Sequence, residues 1–329
     1  MKTNKLILAL AAVLMVSSVA FTSCKKKKAF KEENGQSSED SRNVQTENDA
    51  AVNEINTEVG NVANLHGRGE ASNGINAIHY ALGITATGYS VSLADTAMGS
   101  ITITYNGTVV NNRKREGQIK LTILDFAPPI KKRWKDVGCV LQVEYINYKV
   151  TRASDGKFVK LNGKQNLTNI TGGTWWELLI IKTQTSLASS VTSVGGLNVT
   201  FDDGKTAVYN INRKFTYTLP GNVLTCTGEG IGSAESLSSL ENYGTTRDGD
   251  AFTSQVTTPI VWNWTCGWWA PTQGAVDVRV DSKEFDLKVT FAVDQGGTPV
   301  SVAANSCAYG WKVEWTHKKQ TKKKVFGYL

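Results

Sequence analysis

Histidine is almost missing from this sequence: His66, His79 and His317 are the whole supply in 329 residues. That shortage leaves a Ser-His-Asp arrangement without a natural base, and no Gly-x-Ser-x-Gly elbow presents a nucleophile. It also starves a zinc site, because the cysteines lie too far apart for Cys-x-x-Cys ligation. No cofactor or metal is expected. Proline is scarce too, at six, while glycine reaches thirty. With threonine, asparagine and valine frequent, the composition leans toward β structure.

Basic charge spread over a folded face is a further absence. The formal net charge is +7, but Lys2 and Lys5 belong to the first few residues, and without them the balance is +5. Setting aside the run Lys25, Lys26, Lys27 and Lys28 leaves +1. The C-terminal tail holds Lys312, Lys318, Lys319, Lys322, Lys323 and Lys324 against Glu314, a local +5, so the body between is near −4. A nucleic-acid groove needs its basic charge along the fold, and here it sits at the two ends. Nucleic acid is therefore excluded as an expected partner.

The features that are present begin with an export signal over residues 1–23. Lys2 and Lys5 precede an uncharged apolar run from Leu6 to Ala20, and Phe21-Thr22-Ser23-Cys24 comes next. Small residues ahead of a cysteine resemble a lipobox, in which the Cys24 thiol takes a diacylglyceryl group after cleavage. The rival is a spanning helix held by the four lysines behind it. A span needs about 20 apolar residues; this run is shorter, and the cysteine falls where cleavage belongs. Residues 24–45 are Lys, Glu, Ser, Asn and Gln with little apolar content, and are expected to be a flexible tether.

Residues 46–67 read as an amphipathic helix. Thr46 is the expected N-cap, with Glu47 and Asp49 suited to the positive end of the dipole. Val52, Ile55, Val59 and Val62 make one apolar stripe, and Gly67 is the expected stop. The stripe is expected to pack on the β body; pairing with another protein's helix is the alternative.

Beyond Gly88 the apolar period becomes two. Ile101, Ile103 and Tyr105 alternate with threonines. Ile119, Leu121 and Ile123 continue the pattern, then Leu141, Val143 and Tyr145. Leu197, Val199 and Phe201 run into Asp203-Gly204, and Ala207, Tyr209 and Ile211 return, which is a hairpin signature. Phe285 to Val293 is the longest clean alternation, and Trp311, Val313 and Trp315 close the series. One-sided alternation implies antiparallel sheet. The expected fold is all-β, an antiparallel sandwich or roll preceded by one short helix. It comprises a main β domain over 68–250 and a Trp-rich β unit with a basic tail over 251–329. The polar, Gly-rich stretch 228–251 is the candidate boundary, and one large or two β units both remain open.

The order of these segments resembles an uncharacterised family of Bacteroidetes lipoproteins. The matching pieces are the helix near Cys24, Ile101-Thr102-Ile103-Thr104-Tyr105, Arg113 to Ile119, Val143 to Val150 and Leu161-Asn162-Gly163-Lys164. They continue with Thr257 to Trp262 ahead of Cys266, Gly274-Ala275-Val276, and a last cysteine at Cys307. The resemblance implies an extracytoplasmic all-β lipoprotein in the cell envelope and brings no catalytic residues or ligand. Phe21 in place of leucine suits it. Relatives carry a cysteine near the first strand pair, and none lies here between Cys24 and Cys139. Surface-displayed lipoproteins of this kind have acidic residues directly after the cysteine, so Lys25–Lys28 favour the periplasmic side of the outer membrane.

Export would place Cys139, Cys226, Cys266 and Cys307 in an oxidising compartment. Cys266 and Cys307 fall in the last unit, on strands expected to be neighbours, and are the favoured disulfide. Cys139 with Cys226 is the leftover pair, against two free buried thiols. Asp202-Asp203 and Asp248-Gly249-Asp250 are the carboxylates to weigh for a glycosidase or for calcium, but both sit in turn sequences that backbone chemistry explains.

Six of the nine tryptophans lie after residue 261: Trp262, Trp264, Trp268, Trp269, Trp311 and Trp315. Trp262 and Trp264 are expected on one strand face and Trp311 and Trp315 on another, with Trp268-Trp269 loop-borne beside Gly267. Such rings either fill a core or form a platform for a sugar or peptide. The expectation is a non-enzymatic, membrane-anchored module binding a glycan or protein through this face. A structural subunit of an envelope complex is the alternative, and a glycoside hydrolase ranks last.

Overall fold

A computed structural model of the chain describes residues 88–328 apart from 111, 235, 267–269, 281–284, 303–305 and 318–319. It also describes residues 40, 43–45, 47–48, 51–52 and 55. The expected signal, Cys24, most of the tether, His66 and His79 lie outside the described residues. The chain divides into two units, Met1–Thr46 and Glu47–Leu329, and the second holds the sheet.

The protein is all-β and antiparallel. Fifteen strands among the described residues belong to one sheet, and its order keeps to that of the chain almost without exception. The first half comprises β1 (Tyr89–Ser92), β2 (Ser100–Val110), β3 (Arg113–Ile123), β4 (Cys139–Arg152), β5 (Phe158–Asn169), β6 (Ser186–Phe201) and β7 (Thr206–Thr218). The next position is shared by two short strands in line. β8 (Thr225–Gly230) pairs with the β7 end nearest Thr218, and β10 (Leu237–Thr245) takes over at Ile211, with β9 (Gly232–Ala234) folded against β10. Both also pair with β11 (Ala251–Asn263). The path ends through β12 (Pro271–Val280), β13 (Phe285–Val293), β14 (Gly310–His317) and β15 (Gln320–Gly327). Residues 228–251, the candidate boundary, thus carry strands that link β7 to β11.

The alternation read from the sequence is the alternation of burial. Along β4, Leu141, Val143 and Tyr145 are buried while Gln142 and Glu144 are half-exposed. Ile101, Ile103, Ile119 and Leu121 on β2 and β3 lie on the same buried side, joined by the register Ile103↔Ile119↔Tyr145. The opposite side carries Thr102, Thr104, Lys120, Glu144, Lys160 and Asn198, so the apolar face is turned inward. Burial of such side chains supplies about 1.5–3 kcal/mol each. A one-residue slip would reverse every one of them, and that fixes the register.

Within the helix expected at residues 46–67, residues 47–48, 51–52 and 55 are helical, and so are residues 40 and 43–45 of the expected tether; Thr46, the expected N-cap, lies outside the described residues. Val52 and Ile55 of the apolar stripe are buried; Val59 and Val62 lie outside the described residues. Asn48 accepts a hydrogen bond from the Tyr145 hydroxyl (3.0 Å), and the Glu47 carboxylate pairs with Arg113 of β3 at 2.7 Å. Gln165 of β5 donates to the same Tyr145 oxygen (2.9 Å). Glu47 and Asn48 thus tie this segment to β3 and β4, with Val52 and Ile55 buried.

Candidate functional site

The C-terminal tryptophans separate into distinct environments. Trp262, next to the last residue of β11, is on the buried side, 9% exposed, with its ring near Phe215 of β7. Gly228 on the paired strand β8 leaves room for it: a Cβ there would stand 2.7 Å from the Trp262 ring. Trp262 is thus a core residue, and truncating it would cost about 3–5 kcal/mol. Trp264 does not share its face. The strand stops at Asn263, and Trp264 opens a 3-10 turn, Trp264–Cys266, where alternation no longer applies. Trp268 and Trp269 lie outside the described residues.

Trp311 and Trp315 do share a face of β14, four residues apart with Val313 between them. Both are half-buried, whereas Val313 is buried. The register aligns Phe291 of β13, Trp311 and Phe326 of β15 in one row across the sheet. The Trp311 and Phe326 rings stack with centroids 4.5 Å apart and planes 16° from parallel. The Lys324 ammonium stands 4.7 Å from the Phe326 centroid, a cation–π contact. Four residues along β14, Trp315 is paired with Lys322. Among the described residues β15 pairs with β14 alone, so this aromatic and cationic strip lies at the sheet margin.

Cys266 and Cys307 form a disulfide, with Cα atoms 5.6 Å apart. The expected pair is correct, but the strands are not neighbours. β12 and β13 lie between β11 and β14, and the bond joins the segments that leave β11 and enter β14 at one end of the sheet. Cys139 and Cys226 are buried and form no disulfide with each other. They sit on β4 and β8 with β5, β6 and β7 between. Steps of about 4.8 Å per strand put them far beyond the ~7 Å Cα separation that a disulfide tolerates. Burial, with help from Asp136, pushes the Cys139 thiol up to about 12, so it stays protonated.

Three of the carboxylates weighed for catalysis or calcium, Asp202, Asp203 and Asp248, form ion pairs. Arg247, in the turn between β10 and β11, reaches Asp203 at 3.1 Å and Asp202 at 3.7 Å, both in the turn between β6 and β7. Lys205 of that turn returns to Asp248 at 2.7 Å. Arg247 also lies over the Phe201 ring at 4.2 Å. Partial burial pushes the Asp203 carboxyl up. The Lys205 backbone N–H and the Arg247 guanidinium outweigh it and hold the group below the ordinary carboxylate range. The hydrogen bond to Asp248 raises Lys205. No group of three or more metal-ligating side chains occurs among the described residues.

A buried polar cluster escaped the sequence reading. Arg213 of β7 and Glu241 of β10 are 3% and 1% exposed, with Nε and Oε2 3.7 Å apart. Ser254 of β11 donates to the other Glu241 oxygen at 2.8 Å, and Asn242 beside it is fully buried. The signal was available. Ala207, Tyr209, Ile211, Phe215 and Tyr217 share one parity, and Arg213 sits in that inward row. A bulge between Leu240 and Asn242 turns Glu241 inward to meet it.

No protein-family model matches the chain, and no curated protein or solved structure matches it.

Proposed function

We propose that the protein is an extracytoplasmic lipoprotein, held to the membrane by an acylated Cys24, whose sheet serves as a non-enzymatic binding module for glycans. The observation that carries this reading is the half-buried row Phe291, Trp311 and Phe326 at the sheet margin, with Trp315 on the same face of β14. Ring faces near an edge suit the apolar faces of sugar rings. Exposed Lys322 and Lys324 on the same strip favour a sugar carrying carboxylate or sulfate. Trp262 has no part in the site, because its ring is in the core.

The test is titration calorimetry of the protein against a panel of neutral and acidic oligosaccharides. Binding to an acidic member that weakens at least about tenfold (~1.4 kcal/mol) in Trp311→Ala and Trp315→Ala supports the reading. Silence across the panel, or affinity unchanged in both variants, rejects it. One observation favours a second reading, a subunit of an envelope complex: β15 offers eight residues of edge backbone without a described partner strand on its outer side, a place where another chain adds a strand. Co-purification abolished by a proline within β15, with glycan binding intact, would favour it.

A further inference from the structure

The two ends of the sheet differ sharply in chemistry. β2, β4 and β6 start, and β3 and β5 finish, at the end that carries the β1–β2, β3–β4 and β5–β6 connections. Of the thirteen large hydrophobic residues exposed among the described residues, eight are on these three connections. The first contributes Leu93 and Met98, the latter 68% exposed. The second contributes Leu124, Ile130 and Val137, with Ile130 at 59% and Val137 at 66%. Ile170, Ile180 and Ile181 come from the third. At the opposite end the turns 153–157, 202–205 and 246–250 are Asp-Gly sequences with lysine or arginine, and Val109 is the only exposed large hydrophobic among the described residues there.

The connections form one firm platform. Phe126 packs where a Cβ on Gly99 would have to lie, and the Ile123 N–H donates to the Gly99 carbonyl at 3.0 Å. Asn169 donates to the Trp134 carbonyl at 2.7 Å, and Gly173 N–H to that of Lys135 at 2.8 Å. Trp134 itself is buried and anchors the middle loop. Lys182 extends the platform by donating to Asn222 at 2.7 Å. The aliphatic side chains are therefore held outward at fixed positions on separate loops.

We infer that this end of the sheet docks onto the interfacial zone of a phospholipid bilayer with anionic headgroups. The apolar groups are aliphatic fingers rather than a flat aromatic patch, and lysines stand among them. Protein interfaces are depleted in lysine, whereas long basic side chains beside inserted aliphatics reach the headgroups. The basic surplus is local: in the loop 124–138, Lys131, Lys132, Arg133 and Lys135 outnumber Asp125 and Asp136, whereas the other two connections carry only Asp95, Glu177 and Lys182, so it is this middle loop that matches an anionic surface. Its tip, Ala127-Pro128-Pro129-Ile130, lacks two backbone N–H groups, which lowers the cost of leaving water. An exposed apolar area collected at one end of a fold marks an interaction surface. This docking does not depend on acylation of Cys24 or on glycan binding at β14 and β15.

Hydrogen exchange of the full chain with and without vesicles of phosphatidylglycerol and phosphatidylethanolamine tests the inference. Slower exchange at Ile130–Val137 and Ile180–Lys182, with turns 153–157 and 202–205 unchanged, supports it. The double variant Ile130→Asp, Ile181→Asp changes only exposed side chains, and its unchanged Tm would show that it folds; it should lose the protection. Unchanged exchange at both loops overturns the inference, as does protection that persists in the variant or that is equal on phosphatidylcholine alone. Protection that needs an envelope protein rather than lipid would assign the face to a protein partner and likewise overturn it.

Discussion

Removing the disulfide is the most quantitative perturbation the structure offers. Cys266 and Cys307 are separated by 41 residues, so the bond closes a long loop in the unfolded chain. The chain-entropy relation gives a loss of about 13 cal/mol/K for such a loop, or about 4 kcal/mol at 25 °C. The closed segment contains β12 and β13, which are already tied to β11 and β14 by their own ladders, so the effect acts on the unfolded state more than on native contacts. For a domain of this size about 2–4 °C accompanies each kcal/mol. The double variant Cys266→Ser, Cys307→Ser should therefore melt about 8–15 °C lower by calorimetry, and its urea m-value should rise because the unfolded chain is less compact. Dithiothreitol should do the same to the native protein and nothing to the variant. A fall of under about 2 °C, the least that one kcal/mol would produce, with an unchanged m-value would refute the loop-closure argument, because the bond would then be constraining a chain that is already constrained.

Glu241→Gln should cost about 3–5 kcal/mol in urea unfolding, since it leaves the Arg213 charge buried beside a neutral amide; Arg213→Met with Glu241→Leu should recover most of it. A double variant as unstable as the single would show that Arg213 draws its stability elsewhere. Arg247→Met should cost about 1–2 kcal/mol at pH 7, from ion pairs in which the arginine is largely buried and the carboxylates half-exposed, and from one cation–π contact. Because the Asp203 carboxyl is lowered in the fold, its share is present above its ordinary value near 3.8 and disappears as pH falls through the lower folded value. The Arg247→Met penalty should accordingly shrink at the acid end of a pH series, and a penalty that grew there would reverse the sign. Cys139, buried and held protonated, should resist iodoacetamide in the native protein and react once urea unfolds it, as read by peptide mass mapping.

The strands were legible because nearly every one buries a single face. Leu141, Val143 and Tyr145, or Ala207, Tyr209 and Ile211, announce themselves by parity alone. β8, β9 and β10 did not, since Gly228, Gly230, Gly232 and Gly244 give the segment the composition of a linker. Those glycines answer to close packing instead. A Cβ on Gly230 would collide with the Ser239 carbonyl, and one on Gly232 would lie 2.9 Å from that of Leu240. Glycine in a strand marks an approaching backbone or ring as readily as a turn. For the candidate site, the pairing of Trp311 with Trp315 came from parity, whereas the stack on Phe326 needed the β14–β15 register. Trp264 was misplaced because the strand ends one residue before it, and strand ends are set by tertiary contacts that periodicity does not report. The ion pairs of Asp202, Asp203 and Asp248 join turns more than about forty residues apart, beyond the reach of any local pattern.

The near-sequential strand order has a consequence for how the cysteines find their partners. When the chain emerges N-terminus first, each new strand meets the one delivered just before it, so pairing proceeds like a zip and needs few long loop closures. Cys139 is taken into β4 and Cys226 into β8 while Cys307 is still to come. By the time Cys266 appears, Cys139 is flanked by delivered strands and Cys226 has just met Trp262 of β11, so the next cysteine to arrive is the right one. The four cysteines after Cys24 could bond in pairs in three ways, and sequential delivery of strands favours the single crosslink observed, without an isomerase having to undo a wrong one.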